Sequence, residues 1–141
     1  MTVKKEESFG IIPLSKKDGV WRVFLVQLRH SRFWGFPKGH PEKGESPKQT
    51  AQRELKEETN LDVIRFIQES PLTEQYQFKS SGVPISKQVQ YFLAEVEGEP
   101  ALQSHEIRDG AWVTFQEFAS KPTHAEGKAI LKEVEKILSK I

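Results

Sequence analysis

Gly39-His40-Pro41-Glu42-Lys43-Gly44-Glu45-Ser46-Pro47-Lys48-Gln49-Thr50-Ala51-Gln52-Arg53-Glu54-Leu55-Lys56-Glu57-Glu58-Thr59-Asn60-Leu61 is the stretch on which the reading of this chain turns. Glu54, Glu57 and Glu58 stand at i, i+3 and i+4, so on a helix their carboxylates share one face. Like charges placed that way repel by roughly 0.2–0.5 kcal/mol per pair. A hard divalent cation with oxygen ligands offsets that repulsion. Magnesium in particular binds through a few carboxylates and completes its shell with water and substrate phosphate oxygens.

The helix carries its own start and stop signals. Ser46 reads as N-cap, Pro47 as the first helical residue and Gln49 as the partner in a capping box, so a helix is expected from about Pro47 to Thr59. Ala51 and Leu55 supply its buried stripe, with the acidic residues beside it. Asn60 suits the left-handed conformation that ends a helix. The preceding loop, Trp34 to Glu45, is rich in Gly and Pro, which lets its backbone approach a metal or phosphate closely.

Gly39, five residues, Glu45, seven residues, Arg53-Glu54-Leu55, one residue, Glu57-Glu58, one residue, Asn60 and Leu61 resembles the signature box of the Nudix hydrolases. The chain departs from that pattern at Asn60, where the family carries glycine; asparagine tolerates the same left-handed cap. The resemblance implies an α/β/α sandwich, with a mixed β-sheet between helices. It implies metal-dependent cleavage of a nucleoside diphosphate linked to another group, by attack of water on phosphorus. On that carry-over Glu54, Glu57, Glu58 and the Gly39 carbonyl bind Mg2+, with Mn2+ as the alternative ion. One carboxylate of the cluster serves as general base, and Glu57 and Glu58 are not separable here. Arg53 and Glu45 pair with each other or with the cluster, holding loop and helix in register.

Composition agrees. With 141 residues, 36% of them hydrophobic, the chain reads as one domain, 1–141. A net charge of +1 gives no overall attraction to nucleic acid or anionic membrane. The absence of cysteine excludes disulfides and thiolate metal sites. No apolar run approaches the roughly 20 residues that span a bilayer, and Met1 to Ser8 has no signal-peptide core. A cytoplasmic protein is expected, and nothing calls for a dimer.

Around the box, Ser8–Leu14 and Val20–Leu28 read as strands joined at Lys17-Asp18-Gly19. Further strands are expected at Leu61–Gln68, Thr73–Phe78, Gln88–Val96 and Ala111–Phe115, with a turn-rich break at Ser80–Pro84. Thr123 to Glu126 offers a second capping box, ahead of a helix with Ile130, Val134, Ile137, Leu138 and Ile141 on one face.

The box does not select a substrate. Trp34 with Pro37-Lys38-Gly39-His40, Lys87 ahead of Tyr91-Phe92-Leu93-Ala94, and Ser104-His105-Glu106 ahead of Trp112 together resemble a Nudix subgroup, the asymmetric diadenosine tetraphosphate hydrolases. That resemblance implies a small nucleotide substrate split into ATP and AMP. Lys38 and Lys87 would meet phosphate oxygens, Tyr91 or Tyr76 would stack on adenine, and Glu106 would bring a further carboxylate to the metal. Trp34 would join the substrate contacts, and His40 and His105 would touch phosphate or pass a proton. Each residue has a plainer reading: Tyr91 and Tyr76 as strand packing, Trp34 as a loop anchor, the lysines, Glu106 and the histidines as solvated surface. His30 and His124 match no role, and His124 reads as structural. Alternatives are removal of pyrophosphate from RNA 5′ ends, cleavage of diphosphoinositol polyphosphates, and a non-catalytic nucleotide-binding module. RNA ends demand a basic surface extending past the pocket, and the near-zero net charge argues against it; a nucleic-acid partner is expected only as an RNA 5′ end under that alternative. The complete carboxylate cluster argues against a pure binder.

Overall fold

The structure, a computed structural model, describes residues 2–103 and 105–141. Strands β1 (Lys4–Lys17) and β2 (Val20–Leu28) form a hairpin. Its two-residue turn, Asp18-Gly19, has φ of 52° and 79°, the doubly positive pair that this tight connection demands. Two-residue strands β3 (Trp34–Gly35) and β4 (Lys38–Gly39) follow, then helix α1 (Pro47–Thr59), β5 (Asp62–Phe66), β6 (Leu72–Ser80) and β7 (Val83–Glu97). Strand β8 (Ile107–Thr114), a short helix α2 (Phe115–Ala119) and helix α3 (Ala125–Leu138) complete the chain.

The sheet is mixed. β1 lies between β2, antiparallel, and β7, parallel over Lys4↔Ile85 to Leu14↔Glu95. β5 and β6 pair with β7, β8 and β3 with β2, and β4 with β1. Alternation along the strands sends side chains into two separate cores. Phe9, Ile11, Phe24, Val26, Phe92, Ala94 and Val96 meet Ala51 and Leu55 of α1. Ile12, Leu14, Val23, Leu25, Val89, Tyr91 and Leu93 meet Phe118 of α2 and Ile130, Leu131, Val134 and Leu138 of α3. Helices therefore cover both faces of the sheet, as expected. Among the described residues no helix is long and apolar enough to cross a membrane.

The structure corrects several boundaries. β1 and β7 outrun Ser8–Leu14 and Gln88–Val96, because their parallel ladder and the β6 hairpin carry polar residues into the sheet. Val83 and Pro84, expected in a break, are strand residues, and only Ser81-Gly82 turns, with φ of 51° and 80°. β5 is shorter than Leu61–Gln68. The capping box at Thr123–Glu126 does not form: His124 is the N-cap, without a side-chain cap bond. An equivalent box forms instead between Thr114 and Glu117, ending the last strand at Thr114 and starting α2. At α1 the expected signals operate, with Ser46 and Gln49 capping reciprocally and Asn60 left-handed at φ 66°.

Candidate active site

Two anchors bring the Gly/Pro loop against α1. On one side β4 is a rung of the sheet, with Phe9 opposite Gly39 and Gly10 opposite Lys38, and Ile11 N donates to the Pro37 carbonyl at 3.2 Å. On the other, Arg53 reaches back from α1. Its Nε and Nη2 donate to the two Glu45 oxygens at 2.7 and 3.1 Å, and Nη2 also donates to the His40 carbonyl at 2.9 Å. Glu45 in turn accepts from the Thr50 hydroxyl at 2.9 Å and from the Glu42 N–H at 2.8 Å. The Arg53 hydrogen bonds, followed by the Glu42 amide, hold the Glu45 carboxyl down at about 2. The remaining nitrogen, Nη1, donates to Glu54 at 3.0 Å and to both Glu57 oxygens at 3.2 Å.

Glu54, Glu57 and Glu58 do share one wall of a cavity of about 810 Å³. Glu58 is 4% exposed, and its Oε2 has no hydrogen-bond partner among the described residues. Burial, then the hydrogen bond and charge of Glu54, push its carboxyl up to about 9. Burial raises Glu54 as well. Opposite them, Gly39 leaves room that a Cβ would take from the Glu54 carboxylate. Glu57 is half-exposed and held by Arg53 alone among the described residues.

These features decide whether a divalent cation fits. Among the described residues no three acidic or imidazole groups are already converged as a ligand set, since Arg53 takes up Glu54 and Glu57. Yet two neighbouring carboxylates that burial drives toward the protonated form, one of them almost fully buried with an orphaned oxygen, beside the side-chain-free Gly39 backbone, form an oxygen-donor set short of positive charge. The residues fit Mg2+ or Mn2+.

The same cavity takes in Trp34, Lys38, His40, Tyr76, Lys87, Tyr91 and Glu106. Lys87 is half-buried; burial, then the neighbouring Lys38 charge, lowers its ammonium, while Glu6 opposes the shift. Two cations crowded in this way suit a polyanion. Tyr91 is 2% exposed and meets Phe36 edge-on at 5.2 Å, so its ring belongs to the cavity floor and to the core. Tyr76 is half-buried and also lines the cavity. Trp34 carries the Lys121 ammonium over its ring at 4.2 Å. His40 is exposed, 3.8 Å from the Glu6 carboxylate.

Other expected residues lie elsewhere. Glu45 backs the wall through Arg53 without lining the cavity. His105 lines a shallow neighbouring recess with His30, and Glu106 borders both spaces. Trp112 packs edge-on against Phe24 at 5.3 Å, beside the α1 core. Ser104 lies outside the described residues. Conversely, Glu74, Phe33, His124 and Gln103 line the cavity without having been expected there. Glu74 alternates with Tyr76 along β6, a signal available in the sequence; Phe33 and His124 come together only through the fold, their rings stacked at 4.2 Å.

The model of the NUDIX domain matches residues 4–134. The chain belongs to the Nudix family. Among its relatives, the putative mutator protein MutT4 of Mycobacterium tuberculosis is 31% identical over 82% of the chain, which spans 46% of that protein. The asymmetrical bis(5'-nucleosyl)-tetraphosphatase of Caenorhabditis elegans is 28% identical over 92% of the chain and 94% of its own length. An RNA pyrophosphohydrolase of Nitratiruptor is 36% identical, over 60% of either chain. A solved structure of the C. elegans Ap4A hydrolase superposes with a TM-score of 0.71 and 26% identity, covering 97% of this chain and 99% of that one. The Nudix fold and the wall of glutamates thus occur together in this chain.

Proposed function

We propose that this Nudix domain hydrolyses dinucleoside polyphosphates such as diadenosine tetraphosphate, which it would split into ATP and AMP. The observation that carries the reading is the convergence in one cavity of the Glu54–Glu57–Glu58 wall, the Lys38–Lys87 pair and the Tyr76 ring. A cavity of about 810 Å³ is roomy enough for a nucleotide with its phosphate chain. The relatedness to the C. elegans tetraphosphatase over nearly the whole of both chains supports the same substrate class.

Lys38 and Lys87 hold the phosphate chain, and Tyr76 and Trp34 offer ring faces to a base. Glu54, Glu57, Glu58 and the Gly39 carbonyl would hold divalent ions, which neutralise phosphate charge and lower the pKa of a bound water. Glu106 borders the same space and extends that acidic wall. Water adds to phosphorus, the bond to the bridging oxygen breaks, and a carboxylate of the cluster takes the proton. Arg53 and Glu45 position: their fork fixes the His40–Glu45 loop against α1, so the Gly39 carbonyl and the carboxylates keep one spacing.

The test is chromatographic product analysis with diadenosine tetraphosphate, with magnesium present and after its removal. Equimolar ATP and AMP, formed only with the metal, is the expected result. Triphosphorylated RNA runs in parallel, because the similarity to an RNA pyrophosphohydrolase makes RNA ends the competing substrate. Pyrophosphate from the RNA with no nucleotide cleavage would move the function there. Nucleotide affinity without turnover on either substrate would make the chain a binding module.

A further inference from the structure

Glu74 lines the cavity from the sheet side, apart from the Glu54–Glu57–Glu58 wall. Alternation on β6 turns Leu72, Glu74 and Tyr76 to the face that α3 packs on, and the register sets Glu74 beside Val89 and Tyr76 beside Lys87. Across β7 the same rows continue to Ser8 and Glu6 of β1. Glu74 is half-buried, lines the cavity and makes no hydrogen bond or ion pair among the described residues. Burial raises the Glu74 carboxyl; the Lys38 charge opposes that shift, Glu126 adds to it and His124 opposes it. Ser8, 1% exposed and also lining the cavity, has an Oγ without a partner among the described residues. Tyr76 and the stacked Phe33–His124 pair supply aromatic surface in the same space.

A half-buried carboxylate left unpaired beside aromatic rings is costly unless a ligand brings donors to it. A carboxylate has two acceptor oxygens and no donor. Guanine presents N1–H and the N2 amine side by side, which that pair of oxygens accepts together. Adenine sets the acceptor N1 next to its amine, and an ionised carboxylate repels it. The Ser8 hydroxyl, on the same row as Glu74 across Val89, is a donor for a guanine O6. We propose that Glu74 reads the Watson–Crick edge of a guanine base, so that the substrate class includes guanosine polyphosphates and the guanine-containing member of a pair is preferred. The inference rests on the nucleotide reading above for the remainder of the ligand, the phosphate chain on Lys38 and Lys87.

The test separates binding from turnover. Titration calorimetry with GMP and with AMP, neither of which carries a phosphoanhydride to cleave, reads the base site alone. Wild-type protein is expected to bind GMP about tenfold more tightly or better. In Glu74→Gln and Glu74→Ala the ratio falls to about one, while Glu74→Asp, which keeps both acceptors, retains part of it. A one-pot competition between diadenosine and diguanosine tetraphosphate, read by product chromatography, should show the same order in kcat/KM. Equal binding of GMP and AMP, no binding of either, or a preference that survives in Glu74→Gln would overturn the inference. A Glu74-dependent GMP preference without cleavage of either tetraphosphate would support the base reading and sink the hydrolase reading instead.

Discussion

Gly39→Ala isolates the geometry of the glutamate wall from the stability of the fold. A Cβ at this position would stand within 3.0 Å of the Glu54 carboxyl carbon and both its oxygens, against an ordinary contact of 3.4–4 Å. The obstacle is the end of a flexible side chain, so the backbone need not move; Glu54 swings aside by roughly 1 Å. A misplacement of about 1 Å in a reacting group costs on the order of a hundredfold in rate, equivalent to about 2.7 kcal/mol of barrier. The thermal midpoint should stay with the wild type. The assay is kcat/KM with diadenosine tetraphosphate across a magnesium series, with circular-dichroism melting alongside. Gly35→Ala is the control, since a Cβ there meets nothing within 4 Å. Gly10→Ala is the opposite control: its Cβ meets the Pro37 carbonyl, which is backbone, and the Tyr91 ring at 3.0 Å, so the fold itself should weaken. A Gly39→Ala enzyme as active as Gly35→Ala would refute the reasoning; so would one that loses activity only in step with its melting point.

Arg53→Lys keeps a charge but loses the fork that binds Glu45 through two nitrogens, so kcat should fall about 10–100-fold with a smaller change in KM. A higher magnesium requirement should accompany it, and wild-type kinetics at all magnesium concentrations would remove Arg53 from its positioning role. Glu58→Gln should abolish most turnover with the fold intact. The folded Glu58 carboxyl is pushed up to about 9 from an ordinary 4.5, so the folded state holds the extra proton. Between those values the slope of stability against pH is therefore negative, and metal-free protein should lose stability as pH rises from about 5 to 9. Urea midpoints in EDTA should show that decline, with Glu58→Gln flattening it; coincident slopes would count against a strained, buried carboxylate.

Legibility in the sequence followed the reach of the forces involved. From Ser46 to Asn60 everything that shapes the helix is local, and the expected Pro47–Thr59 is the observed α1. The hairpin at Asp18-Gly19 was readable for the same reason. Thr114–Glu117 and Thr123–Glu126 have the same capping pattern, but only the first forms. Around the second, the Trp34 N–H takes the Pro122 carbonyl at 2.9 Å, a tertiary bond that no local pattern announces. The ends of β1 and β7 were hidden because polar residues enter a strand when a partner's ladder is already there. In the site, the carboxylate wall is one helical face and was plain. The Phe33–His124 stack joins residues far apart in the chain, and only the fold brings them together.

The two-residue strand β4 has a consequence for how the cavity breathes. Because Lys38 and Gly39 are hydrogen-bonded into β1, that side of the site can open only by peeling a rung off the central sheet. Their amides should exchange with deuterium as slowly as those of β1 itself. The far side is differently built: the β6–β7 turn projects Phe78 and Val83 into solvent, and α3 begins without a side-chain cap. Any yielding that admits a ligand therefore falls to the start of α3, because β6 is itself laddered to β7 from Leu72 to Ser80, while Gly39 and α1 behave as a fixed anvil.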